Sequence, residues 1–447
     1  MEKAPPLTTG IGRRGFIARL KDVAGWIAKH ELWLLVMAVP VLILSYRFPQ
    51  VATPFNRSPL SPASLALLSL LLPRVCRWVA EGRLTIRTYL DLPLLGLLAM
   101  IPVSLYASAD FSLSLPILYK TIAEVAIFYG VVNSVCSLKQ VRRLAALILG
   151  ISAGLSLLCL LGTNWPASKI FSLPQVYEHL PRVIIPQLNV AGFSRNIAGG
   201  VLAMLLPITL SFLLFGSKRI LKPILGMSVA IMAFTLLLTQ SRGAWIGLAI
   251  SLLVMGIWRN RWLLLGIPAS AAIVFITVQH FGIQSVADFM LITESAPSAA
   301  SRFEIWQRAI YMIQDFPYTG IGLGTFSRVG PLMYPYFLAG PDADIPHAHN
   351  IFLQAGVDLG IPGLVAFIGV LVAFVFTAWE TLRLSRDSDL EPLALGLLCG
   401  FIVYLIHGLL DSITAVSIKA GIALWALMGF TTALWANLKA ATPTSRT

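Results

Sequence analysis

Charged side chains are scarce in this chain. Asp, Glu, Lys and Arg together make up 12% of 447 residues, about half the share found in soluble globular domains. That excludes an ordinary soluble enzyme and a disordered chain. Cysteine is scarcer still. Cys76, Cys136, Cys159 and Cys399 lie in or beside apolar segments, at no spacing that suggests a disulfide framework or a zinc site. No basic patch is interleaved with aromatics, so the formal net charge of +13 does not read as nucleic-acid binding. Gly320-Ile321-Gly322-Leu323-Gly324 has no strand before it and no long helix after it, which excludes a dinucleotide fingerprint. A tight turn presenting backbone amides near the membrane interface is the better reading. No tandem repeat is visible.

What the chain has instead is apolar length. Hydrophobic residues make up 57% of it, in runs near the length a helix needs to cross about 30 Å of hydrocarbon. They fall at 32–46, 61–76, 90–107, 113–136, 144–162, 197–216, 220–239, 243–258, 262–279, 361–379, 392–410 and 414–436. The expected fold is therefore an all-α polytopic membrane protein with about 12 transmembrane helices. Basic residues punctuate alternate connections: Arg74, Arg77, Arg83 and Arg87; Lys139, Arg142 and Arg143; Lys218, Arg219 and Lys222; Arg259 and Arg261; Arg383 and Arg386; Lys439 and Arg446. With twelve spans these clusters share a side with the basic tail at 1–30, which places both termini in the cytoplasm. The transmembrane domain then covers 31–440, followed by an Ala/Thr/Pro/Ser tail at 441–447 expected to be disordered.

Two long segments, 163–196 and 280–360, fall on the opposite, periplasmic side. Long connections tend to be functional. The second is expected to hold short helices, one starting near Ser301 as N-cap with Glu304 completing a capping box.

Polar groups at the edge of hydrocarbon mark candidate sites. Arg242, in Ser241-Arg242-Gly243-Ala244-Trp245, sits in a tight hairpin, either as a snorkelling anchor or as an anion site. Arg302 and, behind it, Arg195 are further anion-binding candidates on the same face. His347-Ala348-His349-Asn350 admits three readings: a metal site, a plain loop, or a histidine that accepts a proton near neutral pH. The metal reading is weakest, because the two histidines share a side only on an extended segment and no third ligand stands at a recognisable spacing. His407 and Asp411 are i,i+4, which suggests a pair on one helix face. Lys120 and Glu124 have the same spacing and read as a structural ion pair.

Taken in order, Ser-Arg-Gly-Ala-Trp at Arg242, Ser-Arg-Phe-Glu-Ile-Trp at Arg302, Phe316-Pro317 with Gly320-Ile-Gly322, and His349-Asn350 resemble the O-antigen ligase and O-antigen polymerase superfamily of bacterial envelope enzymes. The ligases share one specific pattern: a histidine, a small polar residue, nine residues, a glycine, two residues, and a glycine or small residue. His349, Asn350, Gly360 and Gly363 fit it without a gap. A secondary similarity, through Ile313–Pro317 and Tyr334-Pro335-Tyr336, is to cyanobacterial proteins once described as inorganic-carbon transporters.

The resemblance implies a glycosyltransferase of the bacterial inner membrane, with a site facing the periplasm. Its donor would be a glycan on polyprenyl (undecaprenyl) diphosphate, and its acceptor lipid A core, a growing polysaccharide or another hydroxyl acceptor. In that reading Arg242, Arg302 and Arg195 bind the diphosphate and His349 is catalytic. Asn350, His347, Gly360, Gly363 and Asp411 support them. No metal or other cofactor and no nucleic-acid partner is expected. Repeat-unit polymerisation is the alternative within the superfamily, and solute transport the alternative outside it.

Overall fold

The computed structural model describes residues 13–47, 62–163, 165, 179, 194–216, 219–283, 285–286, 299–340, 345–412, 414 and 417–442. Among them the regular structure is helical, without a β-strand. The helices are α1 (Arg13–Lys29), α2 (Glu31–Arg47), α3 (Pro62–Glu81), α4 (Asp91–Tyr106), α5 (Phe111–Ser134), α6 (Leu138–Gly162), α7 (Arg195–Phe215), α8 (Lys222–Thr239), α9 (Arg242–Arg259), α10 (Gly266–Phe281), α11 (Ala299–Asp315), α12 (Phe326–Met333), α13 (Ile351–Leu384), α14 (Glu391–Leu410) and α15 (Ile418–Ala441).

Every apolar run read from the sequence falls on a helix. Eight of these are long and apolar enough to cross a membrane: α5, α6, α7, α8 with the turn at Arg219 before it, α9, α13, α14 and α15. The apolar stretches Glu31–Val41 and Asp91–Tyr106 are shorter. The protein is thus an all-α polytopic membrane protein.

Helices α7, α14 and α15 form the buried centre, and small residues explain how closely they approach. A Cβ on Gly396 would come within 2.6 Å of Ile208 Cα, and one on Gly400 within 2.4 Å of Met204 O. This small-residue pair, four apart on α14, lets the backbone of α7 press against it. Lys120 and Glu124 form the expected ion pair at 2.9 Å, both buried.

Three sequence expectations need correction. Arg74 and Arg77 are not loop punctuation. Both lie within α3 and pair with the buried carboxylate of Glu31 on α2 at 2.7 and 3.3 Å, because a carboxylate taken out of water demands cationic partners. Ser301 is not an N-cap either. Helix α11 starts at Ala299, Ser301 Oγ donates to Leu338 O at 3.1 Å, and Glu304 works elsewhere. The span expected at 361–379 belongs to a helix of 34 residues that begins at Ile351 and bends at Gly360. The Gly320–Gly324 segment is the expected turn, and three of its amides are bonded within the protein. The N–H groups of Gly320, Ile321 and Gly324 go to Phe316 O, Val357 O and Asp358 Oδ1.

The tails beyond 13 and 442, the acidic pair Asp342 and Asp344, and nearly all of 166–193 lie outside the described residues. Within the expected basic tail, 13–29 is helical. It rests on α3 through Ala24, Ala28 and Cys76.

Candidate functional site

The local motifs fold into devices that aim side chains at one end of the bundle. Helix α8 closes with Gln240 in a left-handed conformation (φ 48°), and α9 opens at once with Arg242. Gly243 seats this hairpin: a Cβ there would lie 2.7 Å from the ring of His407. Ser241 Oγ is 3.4 Å from His407 Nε2. The expected His407–Asp411 partnership is therefore a backbone one, Asp411 N donating to His407 O at 2.9 Å. The Asp411 side chain turns to other partners.

Asn350 caps α13. Its Oδ1 accepts the N–H groups of Phe352 and Leu353 at 2.9 and 3.1 Å, as an N-cap does, while its Nδ2 donates to Leu409 O at 3.1 Å. It thus staples the start of α13 to the end of α14. Gly360 and Gly363 finish the pattern by packing. Gly360 sits at φ 69°, where a Cβ would press on Pro317 O at 2.8 Å, and the next amide, Ile361 N, donates to Pro317 O at 2.7 Å. At Gly363 a Cβ would meet Leu359 Cβ at 2.1 Å.

Glu304 of α11 holds the far wall. Its carboxylate accepts three consecutive backbone N–H groups, those of Phe337, Leu338 and Ala339, at 2.7 to 3.2 Å. Replacing Glu304 by Ala strips acceptors from three amides and should cost on the order of 3 kcal/mol. A Glu304→Ala protein is expected to melt well below wild type in detergent, with Glu304→Gln between them.

At the centre stand two histidines and an aspartate. His349 Nδ1 is 3.3 Å from Asp411 Oδ1. Asp411 also accepts from Ser412 N at 2.8 Å and from Asn196 Nδ2, at the start of α7, at 3.0 Å. Burial would raise the Asp411 carboxyl, but the hydrogen bond from His349 and the neighbouring imidazoles hold it well below the usual carboxylate range. With an ionised Asp411 accepting at Nδ1–H, the basic lone pair of a neutral His349 is on Nε2.

His347 does not point away from His349, as an extended segment would require. The two rings stand 4.2 Å apart. The physical reason is the backbone: His349 adopts φ 52°, a left-handed conformation that folds the segment back. His347 Nδ1 accepts the His349 amide at 3.2 Å, which fixes the hydrogen on Nε2, 3.8 Å from Asp411 Oδ1. Burial, with His349 adding to it, pushes the His347 imidazole down to about 3, so His347 is neutral at physiological pH.

Two arginines complete the cluster. Arg302 is 2% exposed and donates from Nη1 to Leu410 O at 2.6 Å. Its buried Nε meets no hydrogen-bond acceptor among the described residues. Burial lowers the guanidinium to about 10, Asp411 pulling it up and Arg242 pushing it down, so it remains cationic at neutral pH beside a second cation. Arg195 is the half-buried first residue of α7, but the neighbour that reaches Asp411 is Asn196. Sequence reasoning passed over Asn196. The available signal was an amide in the first turn of a helix beginning with the N-cap Ser194.

His347, His349 and Asp411 offer ligand atoms within 4.8 Å of one another. Cation binding fits this geometry poorly. His347 Nδ1 is already an acceptor, so its Nε2 would have to lose a proton to ligate. The arginines add positive charge beside it. An anion next to a hydrogen-bonded histidine fits better.

No curated protein matches the chain. Residues 227–368 match the family model described as O-antigen ligase, a stretch that includes Arg242, Arg302, His347, His349, Gly360 and Gly363 but neither Asn196 nor Asp411. That stretch, about a third of the chain and flanked by apolar helices on both sides, is what the protein shares with the O-antigen ligase family.

Proposed function

We propose that the protein transfers a glycan from a polyprenyl diphosphate carrier to a hydroxyl acceptor, a lipopolysaccharide core sugar, at the periplasmic face of the inner membrane. The observation that carries this reading is the buried juxtaposition of Arg302, beside Arg242, with the His349–Asp411 pair. Planar guanidinium groups suit diphosphate oxygens. A histidine oriented by a carboxylate suits proton removal from a hydroxyl.

In this mechanism His349 Nε2 takes the proton of the acceptor hydroxyl as its oxygen attacks the anomeric carbon. The bond from that carbon to the diphosphate oxygen breaks, and the polyprenyl diphosphate leaves with the bonding pair. Asp411 holds the imidazole by Nδ1 and stabilises the imidazolium that forms. Arg302 and Arg242 offset the negative charge gathering on the leaving diphosphate, the largest class of catalytic contribution in such sites. Arg195 is assigned to the rim of the same anion site.

The test is transfer by purified protein from a lipid-linked oligosaccharide to lipid A core, with repeat-unit donor alone as a parallel acceptor. Core-linked product supports ligation, and lengthened carrier-linked glycan indicates polymerisation. Absence of both, together with absent donor binding, overturns the reading. Sidedness is checked separately: a reporter after Arg386 should read cytoplasmic and one inserted at Asp344 periplasmic. A cytoplasmic signal at Asp344 would remove the site from the face where such donors are presented.

A further inference from the structure

The nine residues between Asn350 and Gly360 contain two polar side chains that are withdrawn from water. Gln354 and Asp358 are 5% and 8% exposed and stand on consecutive turns of α13, four residues apart, the spacing at which helical side chains meet. Gln354 Oε1 accepts the backbone N–H of Ala348 at 2.8 Å, and its Nε2 donates to Asp358 Oδ1 at 2.9 Å. That carboxylate oxygen also accepts Gly324 N at 3.2 Å. On the far side, Ser104 Oγ of α4 donates to the Asp358 carbonyl at 2.6 Å. One line of hydrogen bonds therefore runs from the histidine segment along α13 into the Gly320–Gly324 turn.

The upper end of this line is the amide of Ala348, the residue between the two histidines. The next residue, His349, is held at φ 52°, a region that a non-glycine residue occupies only when its surroundings impose it. The left-handed turn brings the His349 ring to Asp411. Gln354 suits the task chemically, because a primary amide accepts from one partner while donating to another. Neither a carboxylate nor an ammonium group does both at once.

We infer that Gln354, oriented by Asp358, is a positioning residue for glycan transfer: it fixes the His347–Ala348 peptide, directly before His349, and so sets where His349 Nε2 meets the acceptor hydroxyl. The inference rests on the reading of His349 as the base. It also gives the nine-residue spacer a physical meaning, since shifting Gln354 by one residue would rotate its amide about 100° around the helix, away from Ala348.

The experiment exchanges the two groups. Full-length purified protein is assayed for kcat and donor KM with a lipid-linked oligosaccharide as wild type, Gln354→Glu, Gln354→Leu, Gln354→Glu with Asp358→Asn, and His349→Ala. Gln354→Glu alone sets two carboxylates against each other, and Gln354→Leu leaves the Ala348 amide without its acceptor. Each is expected to lower kcat at least tenfold, with donor KM within about twofold of wild type. The double exchange restores the bonds that hold Ala348: Glu accepts from Ala348 N and from the Asn amide nitrogen, while the bond from Gly324 N, which shares one Asp358 oxygen with Gln354, is given up. It is expected to recover most of kcat. Should Gln354→Leu fail to fold, the Glu variant and its rescue carry the test.

Wild-type kcat in Gln354→Glu, or a folded double exchange that recovers nothing, overturns the inference. If His349→Ala is inactive while Gln354→Glu is normal, only the positioning role falls. If His349→Ala turns over normally, the base assignment falls and the positioning role with it.

Discussion

His349→Ala should lose about 10²–10⁴-fold in turnover, the range that general-base assistance supplies, while still binding donor with near-normal affinity. A sugar hydroxyl is too weak an acid to ionise unaided, and His349 is the one residue of the cluster whose chemistry and partners suit proton removal. Its Nδ1 faces Asp411 at 3.3 Å, which leaves the lone pair on Nε2 of the neutral ring. His347 lacks that disposition. Its Nδ1 is taken by the His349 amide at 3.2 Å, and its neutral ring carries hydrogen on the nitrogen that faces Asp411. His347→Ala is accordingly expected to be the milder variant, its loss arising from a looser His349 backbone.

Asp411→Asn keeps an acceptor for Asn196 but removes the charge opposite the imidazolium, so its turnover should lie between those two variants. Side-by-side turnover and donor titration at matched folded yield make the comparison. Normal turnover in His349→Ala would sink the base assignment. Loss of donor binding in the same variant would move His349 into the diphosphate site.

Arg302→Lys should lower kcat/KM by about 10–100-fold, the equivalent of one or two hydrogen bonds between charged groups, with folded yield close to wild type. Lysine keeps the charge but not the planar fork. In the protein the guanidinium divides its work: Nη1 is fixed on Leu410 O at 2.6 Å, and Nε is buried without an acceptor among the described residues. A single ammonium cannot hold the helix end and meet a diphosphate with the same geometry. Arg242, at the α8–α9 turn, should respond in the same direction. A snorkelling anchor would tolerate lysine almost completely, so full activity of both lysine variants would remove the diphosphate clamp from the mechanism. Because burial already lowers Arg302 to about 10, donor binding should also weaken as pH rises through that value, earlier than an exposed arginine would allow.

The membrane character of this protein is written locally. An apolar run long enough for a helix is a property of neighbouring residues, so all the runs could be placed from the sequence, and each meets a helix. Asn350 as a polar residue before an apolar run, and the Lys120–Glu124 pair at i,i+4, are local in the same sense. The Ser-Arg-Gly and His-Asn patterns were legible too, as fragments whose meeting could only be supposed.

What the tertiary structure decided is which helix ends meet. Asp411 joins His349 across 62 positions and Asn196 across 215, and no periodicity reports such distances. The sequence grouped Asp411 with His407 because both lie on one helix. Helix α14 ends at Leu410, and the extended backbone at Asp411 (φ −159°) turns the carboxylate toward other elements. Glu31 likewise found Arg74 and Arg77 through packing of α2 on α3, where a buried carboxylate makes its partners' burial favourable. His347 and His349 share a side because of one left-handed residue. That conformation follows from the contacts around the Ala348–His349 peptide, not from a preference of histidine, so only the folded chain could place both rings beside Asp411.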